Sequence, residues 1–228
     1  MSIGNKRMES SMIKYDLKKA TNNGLLTKFL ASIHILILAF YLIGCGEDSK
    51  KSSSAENTTS SFLSSLAGTW KTSCLSGMVV TLTITNNIQK QTTVKYSDSS
   101  CLTPIVTLTE EGTFTLEGEV SGVANTYKKN STTTAVKAMM LSNEAVTEAN
   151  SDSYFGYTDW VKNVEKDVAG KKATSDSDTT QSTIGTIVYT IVKVQDNKWY
   201  MPDTAINDGS SEAKRPTSIK TDVYLTKQ

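Results

Sequence analysis

Between residues 78 and 140 apolar and polar side chains alternate with little interruption. In "MVVTLTIT", Val80, Leu82 and Ile84 fall on one face and Thr81, Thr83 and Thr85 on the other. Successive side chains of a strand point to opposite faces, so this pattern belongs to strands with one face buried and one wet. Threonine and the other β-branched residues that dominate here suit such a pleated surface. "KQTTVKYS" follows Asn86-Asn87, a turn signal. "PIVTLTEEGTFTLEGEV" predicts two strands joined around Glu111-Gly112, with Phe114, Leu116 and Val120 inward. "VANTYKK" and "TTTAVKAMML" continue in the same way. "IGTIVYTIVKV" is apolar on both faces, and "KWYM" and "TDVYLT" supply the last two strands around a loop over 202–216.

One segment has a different period. In "YTDWVKNVEKDVAGKK", Trp160, Val161, Val164 and Val168 fall at helical spacing. Thr158 or Asp159 can cap the start of a helix there, Gly170 can end it, and Lys171 and Lys172 suit the negative end of its dipole. Eight to nine short strands and one helix predict a mainly β fold, an antiparallel up-and-down barrel. Closure removes the edges on which a threonine-rich sheet would aggregate.

The chain before residue 45 has another character. Lys6, Arg7, Lys14, Lys18, Lys19 and Lys28 precede "FLASIHILILAFYLI" over 29–43. A basic flank followed by a short apolar run has the form of a secretory signal. Leu42-Ile43-Gly44-Cys45 closes the run, and it resembles the bacterial lipobox. That resemblance implies removal of residues 1–44 and acylation of Cys45 as the mature N-terminus. The lipid would anchor the protein in the cell envelope, with Gly46 favouring an outer-membrane address. Residues 45–61 carry no large apolar group and are expected to form a flexible tether. The folded domain is expected over 62–228.

Composition excludes several classes of function. Removing residues 1–44 leaves 18 basic against 21 acidic side chains, a net charge near −3. That balance gives no footprint for nucleic acid. The single histidine, His34, lies in the removed segment, so the mature chain has no imidazole for a catalytic triad or a zinc site. Besides Cys45 there are two cysteines, Cys74 and Cys101. In an exported chain they predict one disulfide, worth about 3–4 kcal/mol by loop closure, with a pair of free thiols as the alternative.

"LAGTW" carries Gly68 and Trp70, and this resembles the Gly-x-Trp of lipocalins, whose tryptophan closes the bottom of the barrel. In that family an arginine near the last strand stacks on the tryptophan. Arg215, in "KRPTSIKTDVYLT", is the single arginine of the mature chain. The resemblance therefore implies that Gly68, Trp70 and Arg215 lock the barrel. The spacing from Gly68 through Cys74, Tyr96, Asp98, Cys101 and Pro104 to Phe114 is similar to that of a bacterial lipoprotein family with a lipocalin-like barrel and a late Arg-Pro. The extracellular APCDD1 domain has a similar opening.

Three roles compete at this level. A barrel interior could hold a small apolar or amphipathic ligand, with Met139, Met140, Trp199 and Tyr200 able to line it. A filled barrel could instead serve surface interaction, meeting a protein partner through segments 142–153 and 171–183. Catalysis without histidine would need paired carboxylates. Glu110 with Glu111 and Glu117 with Glu119 are the candidates, and all four read as turn or strand-face residues, so the chain is not expected to be an enzyme. Asp176 and Asp178 lack the glycine and distal glutamate of a calcium loop. Neither a metal nor another cofactor is expected.

Overall fold

The computed structural model describes residues 54–228, apart from 176, 178, 179 and 206. Its strands are β1 (Gly68–Lys71), β2 (Met78–Thr85), β3 (Ile88–Tyr96), β4 (Pro104–Glu119), β5 (Thr126–Met140), β6 (Glu165–Asp167), β7 (Ile187–Gln195), β8 (Lys198–Pro202) and β9 (Ile219–Lys227). They run in the order β4-β3-β2-β1-β9-β8-β7-β5, and β4 also pairs with β5, so eight strands close into an antiparallel barrel. β6 adds to the upper part of β5 outside that ring, with Lys137 opposite Asp167. The expected class, a mainly β antiparallel barrel of eight to nine strands, is the one observed.

The two strands expected around Glu111-Gly112 are a single strand of sixteen residues. Glu111 pairs with Ala135 and Gly112 with Thr133, so Thr134 is an extra residue and this point is a bulge. A Cβ on Gly112 would come within 2.5 Å of the Thr132 carbonyl oxygen. The glycine therefore serves close backbone approach, the other common reason for glycine inside a strand. The bulge also rephases β5. Tyr127, Lys129, Ser131 and Thr133 face inward below it, and Val136, Ala138 and Met140 above it, while β4 presents its even-numbered residues throughout.

The two ends of the barrel differ. At one end the strands join through residues 86–87, 120–125 and 196–197. Helix α1 (Ser54–Leu66) closes this end: Leu66 is fully buried, and Phe62 stacks on Tyr127 with ring centroids 4.0 Å apart. The helix begins at Ser54, inside the segment read as a tether. Its final turns carry Phe62, Leu63 and Leu66, whose burial against the barrel orders the polar turns before them.

The remaining connections, over 72–77, 97–103, 141–186 and 203–218, lie at the opposite end and include the three longest of the barrel. There a second apolar cluster joins Val106, Leu108, Val136, Ala138 and Met140 to Tyr154, Phe155, Trp160 and Val168. The helix expected over 158–170 is absent. Trp160 and Val168 are buried, but Val161 and Val164 are 56 % and 46 % exposed, so the four never form one stripe. The side chain of Asn150 instead brackets Trp160, accepting from its N–H and donating to its carbonyl. Helix α2 (Asn143–Ser151) forms earlier, in the polar segment 142–153 read as a candidate contact surface. Ser142 accepts from the Ala145 N–H as its N-cap, and Ala145 and Ala149, four residues apart, are its buried face.

Candidate functional site

Between the two apolar clusters the barrel interior turns polar. Gln89 and Gln91 from β3, Glu110 from β4, and Lys129, Ser131 and Thr133 from β5 line one side of a chamber. Val80, Leu82, Trp199, Met201 and Leu225 line the other. The chamber has a volume of about 60 Å3. It reaches the seam between β7 and β8, where Ile191 and Pro202 also line it and the ladder stops at Lys193 opposite Tyr200.

Lys129 dominates the chemistry. It is 6 % exposed, and its Nζ donates to Gln89 Oε1 at 2.5 Å. The ammonium lies 4.9 Å from the centroid of Phe114 and 5.3 Å from that of Trp199. Burial lowers its pKa to about 7, against a smaller opposing pull from Glu110. Glu110 is displaced the other way: burial raises its carboxyl, while the hydroxyls of Thr133 and Ser182 and the charge of Lys129 partly offset that. Thr133 donates to Glu110 Oε1 at 2.8 Å. Ser131 Oγ is buried in the same wall and has no hydrogen-bond partner among the described residues.

Cys74 and Cys101 are joined in a disulfide with Cα atoms 5.9 Å apart, the pairing expected. The bridge ties the 72–77 and 97–103 connections together. Asp98 shapes the second of these by accepting from the backbone N–H groups of Ser100, Leu102 and Thr103.

The expected lock between Trp70 and Arg215 is not made. Trp70 is fully buried at the α1 end, donates from Nε1 to the Leu66 carbonyl at 2.8 Å, and meets Trp199 edge to face. The cation over its ring is Lys227, at 5.0 Å, on the last strand itself. Gly68, with φ of 121°, leaves the space through which the Lys227 stem passes.

Arg215 lies elsewhere, over Tyr189, and is 6 % exposed. Its donors reach the carbonyls of Lys129 and Thr190 at 3.1 and 2.6 Å, Asn130 Oδ1 at 2.7 Å, and the carboxylates of Glu117 and Glu212. A planar guanidinium with five N–H groups satisfies all of these at once. Arg215 therefore pins the 203–218 connection to the outside of β5 and β7.

Of the four side chains expected to line a cavity, Trp199 does so. Met140 belongs to the cluster at the loop end, and Tyr200 pairs with Tyr224 at 5.9 Å. The carboxylate pairs are split. Glu111 forms an ion pair with Lys90 at 3.1 Å, Glu117 holds Arg215 and Asn130, and Glu119 lies against the Tyr127 hydroxyl. Glu110, read as a strand-face residue, turns into the barrel. Segment 171–183 is also less free than a contact loop, since Ala173, Gln181 and Ser182 are buried. Cys45 and its lipobox residues Leu42, Ile43 and Gly44, with Asp176 and Asp178, lie outside the described residues.

Lys129 was not among the residues expected at the site, although the sequence carries a signal for it. Tyr127, Lys129 and Ser131 share one parity, and an inward Tyr127 carries the lysine with it. No protein-family model matches the chain, and no characterised protein matches it significantly.

Proposed function

We propose that the chain is an exported lipoprotein, held at the cell envelope by acyl groups on Cys45, whose barrel binds a small amphipathic molecule. The observation that carries the binding role is the chamber, polar on its Lys129 side and apolar on its Trp199 side. A buried cation with a displaced pKa inside a concave site is the kind of group that binding sites retain. The chamber presents one carboxylate, Glu110, so the carboxylate pairs considered for catalysis are not brought together in it. The lipobox at Leu42–Cys45 supports the anchor, and among the described residues no group of side chains suggests a metal. Replacing Cys45 with Ala should abolish metabolic labelling by palmitate and free the protein from membranes. A thermal-shift panel of small amphipathic molecules tests the binding role, which predicts saturable stabilisation by at least one of them.

A second reading, surface interaction through a filled barrel, draws on the size of the chamber. About 60 Å3 is far below the roughly 300–1,000 Å3 of drug-sized ligand pockets. Leu102, 80 % exposed, and Val161 and Val164 stand on the connections opposite α1. Silence across the small-molecule panel, with capture of a protein partner at that end, would favour this reading.

A further inference from the structure

We propose that the chamber is a site for a short-chain monocarboxylate of two to four carbons. Its carboxylate would lie between the Lys129 ammonium and the Ser131 hydroxyl, and its alkyl end against Leu82, Trp199 and Leu225. This rests on the reading of the barrel as a binding module and names its ligand.

Unmet donors on one wall set the chemistry. An ammonium has three N–H donors, and the described residues give Lys129 one acceptor, Gln89 Oε1. Ser131 Oγ, in a residue 5 % exposed, has no partner among the described residues. A buried polar group without a partner is costly, so donors converging on one space call for an acceptor there. Glu110 accepts from Thr133 and Ser182 and makes no bond to Ser131. Below about pH 7, where Lys129 carries its proton, its charge selects an anion over a neutral carbonyl and repels an amine.

Size and shape limit the rest of the ligand. At about 10–15 Å3 per water-sized sphere, the chamber admits roughly four to six non-hydrogen atoms. Acetate, propionate and butyrate span that range. The apolar wall opposite Lys129 gives the alkyl group a dry surface and leaves a second charged end without a partner. Glu110 allows for the incoming charge. Burial already favours its protonated form, so it can take one proton from solution when a carboxylate becomes the counterion of Lys129.

The test uses the mature acylated protein in detergent, titrated calorimetrically with acetate, propionate, butyrate, butyramide and octanoate. Butyrate should bind saturably. Butyramide, which lacks the charge, should bind about ten-fold or more weakly, and octanoate should not bind. Repeating the butyrate titration in two buffers of different ionisation enthalpy should show proton uptake. Lys129→Met should abolish butyrate binding, and Ser131→Ala should weaken it about ten-fold. The serine variant removes one oxygen, which keeps the test open should the lysine variant fail to fold. Butyramide binding as tightly as butyrate, unaffected by either substitution, would overturn the carboxylate assignment and leave the binding module standing. Failure of these acids and of the wider amphipathic panel would overturn both.

Discussion

A lysine ammonium inside a barrel pays a desolvation cost that one carboxylate and one amide do not fully offset. Lys129 thus has a signature in the pH dependence of stability. In the unfolded chain it titrates near 10.5 and in the fold near 7. Below about 7 it is charged in both states. Between about 7 and 10.5 the unfolded chain holds a proton that the folded chain has shed, so stability from this group rises with pH across that window. Glu110 acts oppositely at lower pH. Its folded carboxyl keeps a proton above the unfolded value of 4.5, so its contribution falls as pH rises through its folded value. Replacing the pair together, Lys129→Met with Glu110→Leu, should leave stability unchanged or raise it by about 1–4 kcal/mol. The variant should also lose the rise above pH 7 in denaturant titrations compared with wild type. Arg215 should behave in the contrary way. Lysine keeps its charge but not the fork that meets two carbonyls, an amide and two carboxylates. Arg215→Lys should therefore cost at least about 1.5 kcal/mol, the worth of one charged hydrogen bond, measured by the same titration.

At the level of elements, much of the architecture was legible because strand alternation is local. Val80, Leu82 and Ile84 face inward as their parity requires, and Asn86, with φ of 55°, turns the chain into β3. What was not legible depends on distant partners. Glycine in a strand reads equally as a turn or as a bulge, and only the approach of the Thr132 carbonyl decides between them at Gly112. Gly112→Ala should cost about 1–3 kcal/mol or more as an overpacking change, seen as a lower unfolding midpoint. The spacing from Trp160 to Val168 fits a helix, yet tertiary packing buries two of its members separately. The lock at Trp70 was half legible: a cation does cover the indole, but it is Lys227, since β9 passes beside β1 and brings that side chain there. The Cys74–Cys101 pairing was readable by elimination. Its loop of 27 residues should contribute about 3.5 kcal/mol, so reduction should lower the unfolding free energy by about that amount.

Across the whole molecule the two ends of the barrel differ, and under the proposed acylation of Cys45 the length of chain between Cys45 and Ser54 sets which end faces the membrane. Helix α1 and the connections over 86–87, 120–125 and 196–197 form one end, and the three longest connections lie at the other. Eight residues lie between Cys45 and Ser54, and the nine steps from one to the other reach at most about 32 Å. With acyl groups on Cys45, the α1 end is therefore held near the bilayer. The connections carrying the disulfide, Leu102 and Val161 stand farther out. Eight residues of β2, at about 3.3 Å each and tilted as barrel strands are, separate the ends by roughly 20 Å. That separation is within the range of a lipid-borne quencher. A fluorophore on Asn197, in the turn before β8, should be quenched more by nitroxide lipids in reconstituted vesicles than one on Val161. Salt should not remove the difference, because it arises from chain length and not from charge. Equal quenching at the two positions would mean that the barrel tumbles freely on its anchor, and the loop end would then have no preferred outward direction.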